Sequence, residues 1–137
     1  MDKRILLVED DIDDQVFFIN EVNRLDIQVQ CDIAHNGEEA YKMVSLYPSY
    51  DMIFMDLNMP VMDGSTCLAK LKSSEYKNVP VIILTTSKNE RDIERCRNLG
   101  AVMYWIKPAS AERLFNELEN ILNTRMDPGF ILKTGQI

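Results

Sequence analysis

A chain of 137 residues with 22 acidic against 15 basic side chains, formal charge -7 at pH 7, has the length of one domain with one core. Its acidic balance excludes the basic footprint that a nucleic-acid or anionic-membrane surface requires, and leaves proteins or cations as partners. Cys31, Cys67 and Cys96 are widely spaced, without a Cys-x-x-Cys pair, and read as reduced buried thiols rather than a disulfide framework or zinc site.

Met1 to Arg4 leads straight into strand-like sequence with no signal-peptide apolar region, and no stretch approaches the ~18 apolar residues of a membrane helix, so a cytoplasmic protein is expected. Ile5-Leu6-Leu7-Val8 is a wholly apolar run, as in a strand buried on both faces of a parallel sheet, and it ends in Glu9-Asp10-Asp11. Val16, Phe17, Ile19 and Val22 then recur at helical spacing, with Asp11 or Asp13 available as N-cap. Val29 to Ala34 reads as a second strand, Asn36-Gly37 as a turn, and Glu39 to Leu46 as a helix burying Ala40, Met43 and Val44 until Tyr47-Pro48 stops it.

Met52 to Met55 is a third buried strand, and Asp56 stands at its carboxyl end. In open α/β sheets ligands bind in the crevice beyond those ends, which marks this carboxylate for chemistry. Met59-Pro60 and Asp63-Gly64 form the turn into a third helix, Ser65 to Leu71, with Leu68 and Leu71 inward. Val79 to Leu84 is a fourth strand with Pro80 near its start, ending in Thr85-Thr86-Ser87. Asn89 to Leu99 is a polar helix with Ile93, Cys96 and Leu99 as its few apolar contacts and Gly100 just past its end, a composition that predicts loose packing. Val102 to Ile106 is a fifth strand closed by Lys107-Pro108. Ala111 to Leu122 is a fifth helix with Leu114, Phe115, Leu118, Ile121 and Leu122 along its apolar stripe. Such alternation implies a parallel α/β sheet with right-handed crossovers and helices on both faces.

Four strand ends therefore bring Glu9-Asp10, Asp56, Thr85 and Lys107 to one edge of the sheet. Carboxylates held together repel one another unless a cation joins them, and a hard divalent ion takes oxygen ligands of this kind. A carboxylate nucleophile beside a metal, a lysine and a hydroxyl suits phosphoryl transfer onto an aspartate, where positioning and charge neutralisation supply most of the catalysis.

Leu6-Leu7-Val8-Glu9-Asp10-Asp11, Asp56-Leu57-Asn58-Met59-Pro60, Met62-Asp63-Gly64, Leu84-Thr85 and Lys107-Pro108 together resemble the receiver domain of two-component response regulators. The resemblance covers residues 4–123 and leaves 124–137 as a C-terminal tail, expected to be flexible, in which Phe130-Ile131-Leu132, following Asp127-Pro128-Gly129, reads either as a segment that docks on a surface or as disordered chain. It implies a flavodoxin-like, doubly wound sheet of five parallel strands in the order 2-1-3-4-5 with five helices. It further implies Asp56 as phosphoacceptor and Mg²⁺ as cofactor, with Mn²⁺ able to substitute. Asp10, Asp56, the Asn58 backbone carbonyl and, through water, Glu9 are then the metal ligands. Thr85 and Lys107 grip the phosphoryl group, and Tyr104 matches the aromatic that turns inward when the threonine moves. Asn58 and Ser87, each two residues beyond a site residue, are expected to set the lifetime of the phosphate.

The implied phosphate donor is a histidine kinase or a histidine phosphotransfer protein. The implied output is contact with a target protein through the 89–122 face, as a monomer or a phosphorylation-dependent dimer, with no nucleic acid or membrane partner. Such a domain catalyses only its own phosphorylation and dephosphorylation. Thr86 departs from the family's usual alanine and Glu9 from its commoner aspartate. His35 reads as a surface residue, Met55, Met59 and Met62 as core and turn filling, and Trp105 as either a strand hydrophobe or a docking residue. An aspartate-nucleophile phosphatase is disfavoured because Asn58 occupies the place of its proton-donating acid. A mononucleotide binder is disfavoured because acids, rather than a glycine-rich loop, follow the first strand.

Overall fold

The apolar runs and amphipathic stretches fold, in a computed structural model that describes residues 2–124 and 129–134, as β1 (Lys3–Val8), α1 (Ile12–Val22), β2 (Val29–Ala34), α2 (Gly37–Leu46), β3 (Met52–Met55), α3 (Gly64–Lys72), β4 (Val81–Thr85), α4 (Glu90–Leu99), β5 (Met103–Ile106), α5 (Ala111–Asn123) and β6 (Ile131–Lys133). One parallel sheet runs in the order β2-β1-β3-β4-β5-β6. The expected order of the first five strands is present and the fold is flavodoxin-like, but the sheet has a sixth strand where five were expected.

Because side chains alternate along a strand, β1, β3, β4 and β5 each feed two cores. Leu6, Val8, Ile53, Met55, Val81, Ile83 and Tyr104 enter one layer, while Ile5, Leu7, Phe54, Ile82, Leu84 and Trp105 enter the other. Cys67, Leu68 and Leu71 of α3 and Cys96 of α4 close the first layer. Phe18 and Val22 of α1 and Leu114, Leu118, Ile121 and Leu122 of α5 close the second. Trp105 is fully buried, packs edge-on against Phe54 and donates its indole N–H to Glu117, so it is a core residue. Cys31, Cys67 and Cys96 are free thiols, the last two buried.

Each helix starts on a side-chain cap. Asp11, Asn36, Asp63, Asn89 and Ser110 accept backbone N–H groups from the first turn, satisfying donors that the helix leaves unpaired. Asn36 is thus a cap rather than a turn residue, and α2 begins at Gly37 instead of Glu39. In α1 the inward face is Gln15, Phe18, Glu21 and Val22, and Val16, expected inward, is 51% exposed. Apolar residues at 16, 17, 18 and 19 make the period ambiguous there, and contact with the sheet selects Phe18.

Beyond the five strands, Ile131, Leu132 and Lys133 pair with Met103, Tyr104 and Trp105. Phe130 tucks against the first core layer, with the Arg97 guanidinium 5.1 Å from its ring centroid. A three-residue strand with Ile131 and Leu132 still 42% and 46% exposed carries too little hydrophobic pattern to be read from sequence. Asp127 and Pro128 of the expected turn lie outside the described residues.

Candidate functional site

The site follows from register. Val8 of β1 is level with Met55 of β3, so Glu9 and Asp56 leave the sheet side by side, and the Asp56 N–H donates to the Val8 carbonyl at 3.0 Å. Thr85 is level with Ile106, which puts Lys107 next in line, its N–H on the Thr85 carbonyl at 2.8 Å. Gly64, the first residue of α3, lies directly on Asp56. A Cβ there would sit 2.1 Å from the Asp56 carbonyl oxygen, so glycine is required by space rather than by torsion.

Lys107 Nζ meets Glu9 Oε1 at 2.7 Å, Asp14 Oδ2 at 2.9 Å and Asp56 Oδ2 at 3.5 Å. Its ammonium has three donors, so these carboxylates use all of them. The other Glu9 oxygen accepts the Asp11 N–H, and Asp56 Oδ1 accepts the Leu57 N–H at 2.8 Å, which fixes the plane of the Asp56 carboxylate. Glu9 and Asp56 are buried and Asp10 stands exposed at the rim, yet oxygen atoms from all three lie within 4.8 Å of one another.

Burial is the main reason the Glu9 carboxyl is pushed up to about 7. The Lys107 hydrogen bond and charge pull it down, and the Asp56 charge pushes it further up. Burial alone lowers Lys107, but hydrogen bonds to Asp14 and Glu9 and the charge of Asp56 outweigh it and raise the ammonium above its ordinary value. The lysine therefore stays charged at neutral pH, while the Glu9 carboxyl regains a proton well above the ordinary carboxylate range.

The opposite wall is polar but uncharged at the contact. Thr85 is fully buried, and its hydroxyl oxygen lies 3.5 Å from the Ser87 N–H. Tyr104 is fully buried as well, its hydroxyl donating to the Ser87 carbonyl at 2.9 Å. Ser87 donates its own hydroxyl to Asp92 of α4 at 2.6 Å and accepts the Asn89 N–H. Asn58 is exposed on the loop after β3. Thr86 is exposed too and lines a cleft toward α1 and α5.

The strand-end residues expected from sequence, Glu9, Asp10, Asp56, Thr85 and Lys107, all come to this edge. His35 stays apart, exposed and paired with Glu39. Three participants were not legible. Asp14 reaches Lys107 from the first turn of α1, buried Gln15 donates to the Glu9 carbonyl at 2.7 Å, and Asp92 holds Ser87. Their signal was spacing: Asp14 and Gln15 follow Asp11 by about one helical turn and so face the same sheet edge.

The arrangement is that of an α/β domain with a parallel sheet whose carboxyl edge gathers acids around one lysine. Residues 5–119 match the family model described as the response regulator receiver domain, and the chain belongs to that family of two-component signalling proteins. A probable transcriptional regulator, ycf29, of Porphyra purpurea is 36% identical over 92 residues, 66% of this chain and 44% of the relative, so the match spans less than half of that protein. Among solved structures, the phosphorylated cyanobacterial phytochrome response regulator RcpA superposes with a TM-score of 0.83 at 31% identity, covering 94% of this chain and 100% of that one. The Mn²⁺-bound form of response regulator Rcp1 gives 0.78 at 29% identity, covering 92% and 96%.

Proposed function

We propose that Asp56 takes a phosphoryl group from a histidine kinase or a histidine phosphotransfer protein in the cytoplasm, with Mg²⁺ or Mn²⁺ as cofactor, and that the chain then signals by contact with a target protein. The observation that carries this reading is the oxygen cluster of Glu9, Asp10 and Asp56 around which Lys107 is the neighbouring cation. An all-oxygen donor set with more negative charge than one lysine neutralises fits a hard divalent ion. Asp10, Asp56 and the Asn58 carbonyl are the residues to hold it, with Glu9 acting through water. When bound, such an ion neutralises charge on the transferring phosphoryl oxygens. The relatives with bound Mn²⁺ and with phosphate bear on their own sites and support the same reading here.

The chain's own residues supply the rest. The Leu57 N–H and Lys107 orient the Asp56 carboxylate, one of whose oxygens attacks phosphorus. The new P–O bond forms as the bond from phosphorus to the donor's nitrogen or acyl oxygen breaks, and that electron pair leaves with the donor. Lys107 and the Thr85 hydroxyl then hold the phosphoryl oxygens, while Tyr104 is already turned inward, fully buried with its hydroxyl on the Ser87 carbonyl. Incubation with acetyl phosphate and Mg²⁺ is expected to add one acid-stable, base-labile phosphate, read by mass spectrometry and absent in Asp56→Asn. Undiminished labelling of that variant would overturn the assignment.

A further inference from the structure

We infer that Asp14 is a positioning residue for phosphoryl transfer: it holds Lys107 in a resting position toward α1 and must release it when a phosphoryl group reaches Asp56. This inference rests on the proposed role of Asp56. Lys107 spends its three donors on Glu9, Asp14 and Asp56 at 2.7, 2.9 and 3.5 Å, so its contact with the nucleophile is the longest of the three. A phosphoryl oxygen needs one of those donors, and the three acceptors are not equally easy to give up. The side chains of Glu9 and Asp56 are 4% and 11% exposed, whereas that of Asp14 is 45% exposed. Water can replace the lysine on Asp14 but has little access to the other two, so Asp14 is the partner that leaves. Lys107 and Asp14 both line a cleft of about 480 Å³ between α1 and α5, with Phe17, Pro108 and Leu114, so solvent can take the place of the lysine on Asp14.

Two consequences follow for the reaction. Asp14 competes with the incoming anion for the lysine, and its negative charge on the shared ammonium repels that anion. Removing the charge speeds phosphorylation, whereas loss of a merely structural contact would slow it or leave it unchanged.

The test is the initial rate of labelling by subsaturating acetyl phosphate with Mg²⁺, together with beryllofluoride affinity, for the full chain and for Asp14→Asn and Asp14→Glu. Asp14→Asn is expected to label about fivefold faster and to bind beryllofluoride about fivefold more tightly, the size of one partly screened charge contact. Asp14→Glu is expected to return both to the parental values. A parent that labels while Asp14→Asn labels at the same rate or more slowly overturns the inference and leaves Asp56 as phosphoacceptor. A parent that does not label overturns both.

Discussion

Glu9 offers a direct probe of how the acidic pocket is balanced. Its folded carboxyl is pushed up to about 7 from an ordinary value of 4.5, with burial as the first cause. Between those two values the folded chain binds more protons than the unfolded one, so stability falls as pH rises through the window. The contribution is fully present below 4.5 and lost by the time pH has passed 7. At about 1.4 kcal/mol per unit of separation, the metal-free protein should lose about 3 kcal/mol between pH 4.5 and pH 8. Asp32, held below its ordinary value against its burial by Tyr50 and Arg4, and Asp63, held down by the Thr66 N–H, titrate below that window and leave it clear. The measurement is urea unfolding in EDTA at several pH values for the parent and for Glu9→Gln, which has no charge to desolvate and should show a much flatter profile. Saturating Mg²⁺ should shrink the parent's loss and add about 2.7 kcal/mol at a hundredfold excess over its dissociation constant, provided it binds only the folded state. Identical pH profiles for parent and Glu9→Gln in EDTA would refute the reasoning, because the burial cost would then lie elsewhere.

Asp10→Asn should raise stability in EDTA by on the order of 1 kcal/mol, by removing one like charge from the cluster, while weakening Mg²⁺ binding and phosphorylation; a less stable variant in EDTA would show the carboxylates to be structurally satisfied. Bulky or charged replacements of Asn58 should alter the decay rate of the aspartyl phosphate with little change in Mg²⁺ affinity, measured by loss of label over time after donor removal. Ser87→Ala should also change the decay and, because the hydroxyl anchors Asp92, should loosen the start of α4 in the same sample. Hydrogen exchange with and without beryllofluoride should show its largest changes between residues 89 and 122, beginning in α4, whose only fully buried side chain among the described residues is Cys96. Changes confined to the metal pocket would mean that no signal leaves it.

Strand ends were the legible part of this chain. An apolar run that stops at an acid, a threonine or a lysine states both where the strand ends and what it presents, so the sequence alone places Glu9, Asp56, Thr85 and Lys107 on one edge. Helix faces were less legible where apolar residues crowd, as at 16 to 19, since periodicity then fits more than one face. Asp14 was hidden for another reason. An acid in a first helical turn is already accounted for by the helix dipole, and only the packing of α1 against the sheet shows that it faces a lysine 93 positions away. The magnitude of the Glu9 shift was hidden too. Repulsion among neighbouring acids is visible in the sequence, but the larger cause, burial, depends on how deeply the strand end is covered. The sixth strand lacked a pattern long enough to register.

The glycine at position 64 has a mechanical consequence. Asp56 is tied through its N–H to Val8, through its carboxylate to the Leu57 N–H, and from above by a helix start that leaves no space for a methyl group on its carbonyl. The floor of the site is an anvil. The far side is held more lightly, by single hydrogen bonds that run from Thr85 to Ser87 and from Ser87 to Asp92 and Tyr104. Under the proposed function, anyone re-engineering this chain has two separable dials: substitutions around Gly64 and Leu57 should alter whether the domain folds and accepts phosphate at all, and substitutions along the Ser87–Asp92–Tyr104 linkage should retune what the phosphate is heard as.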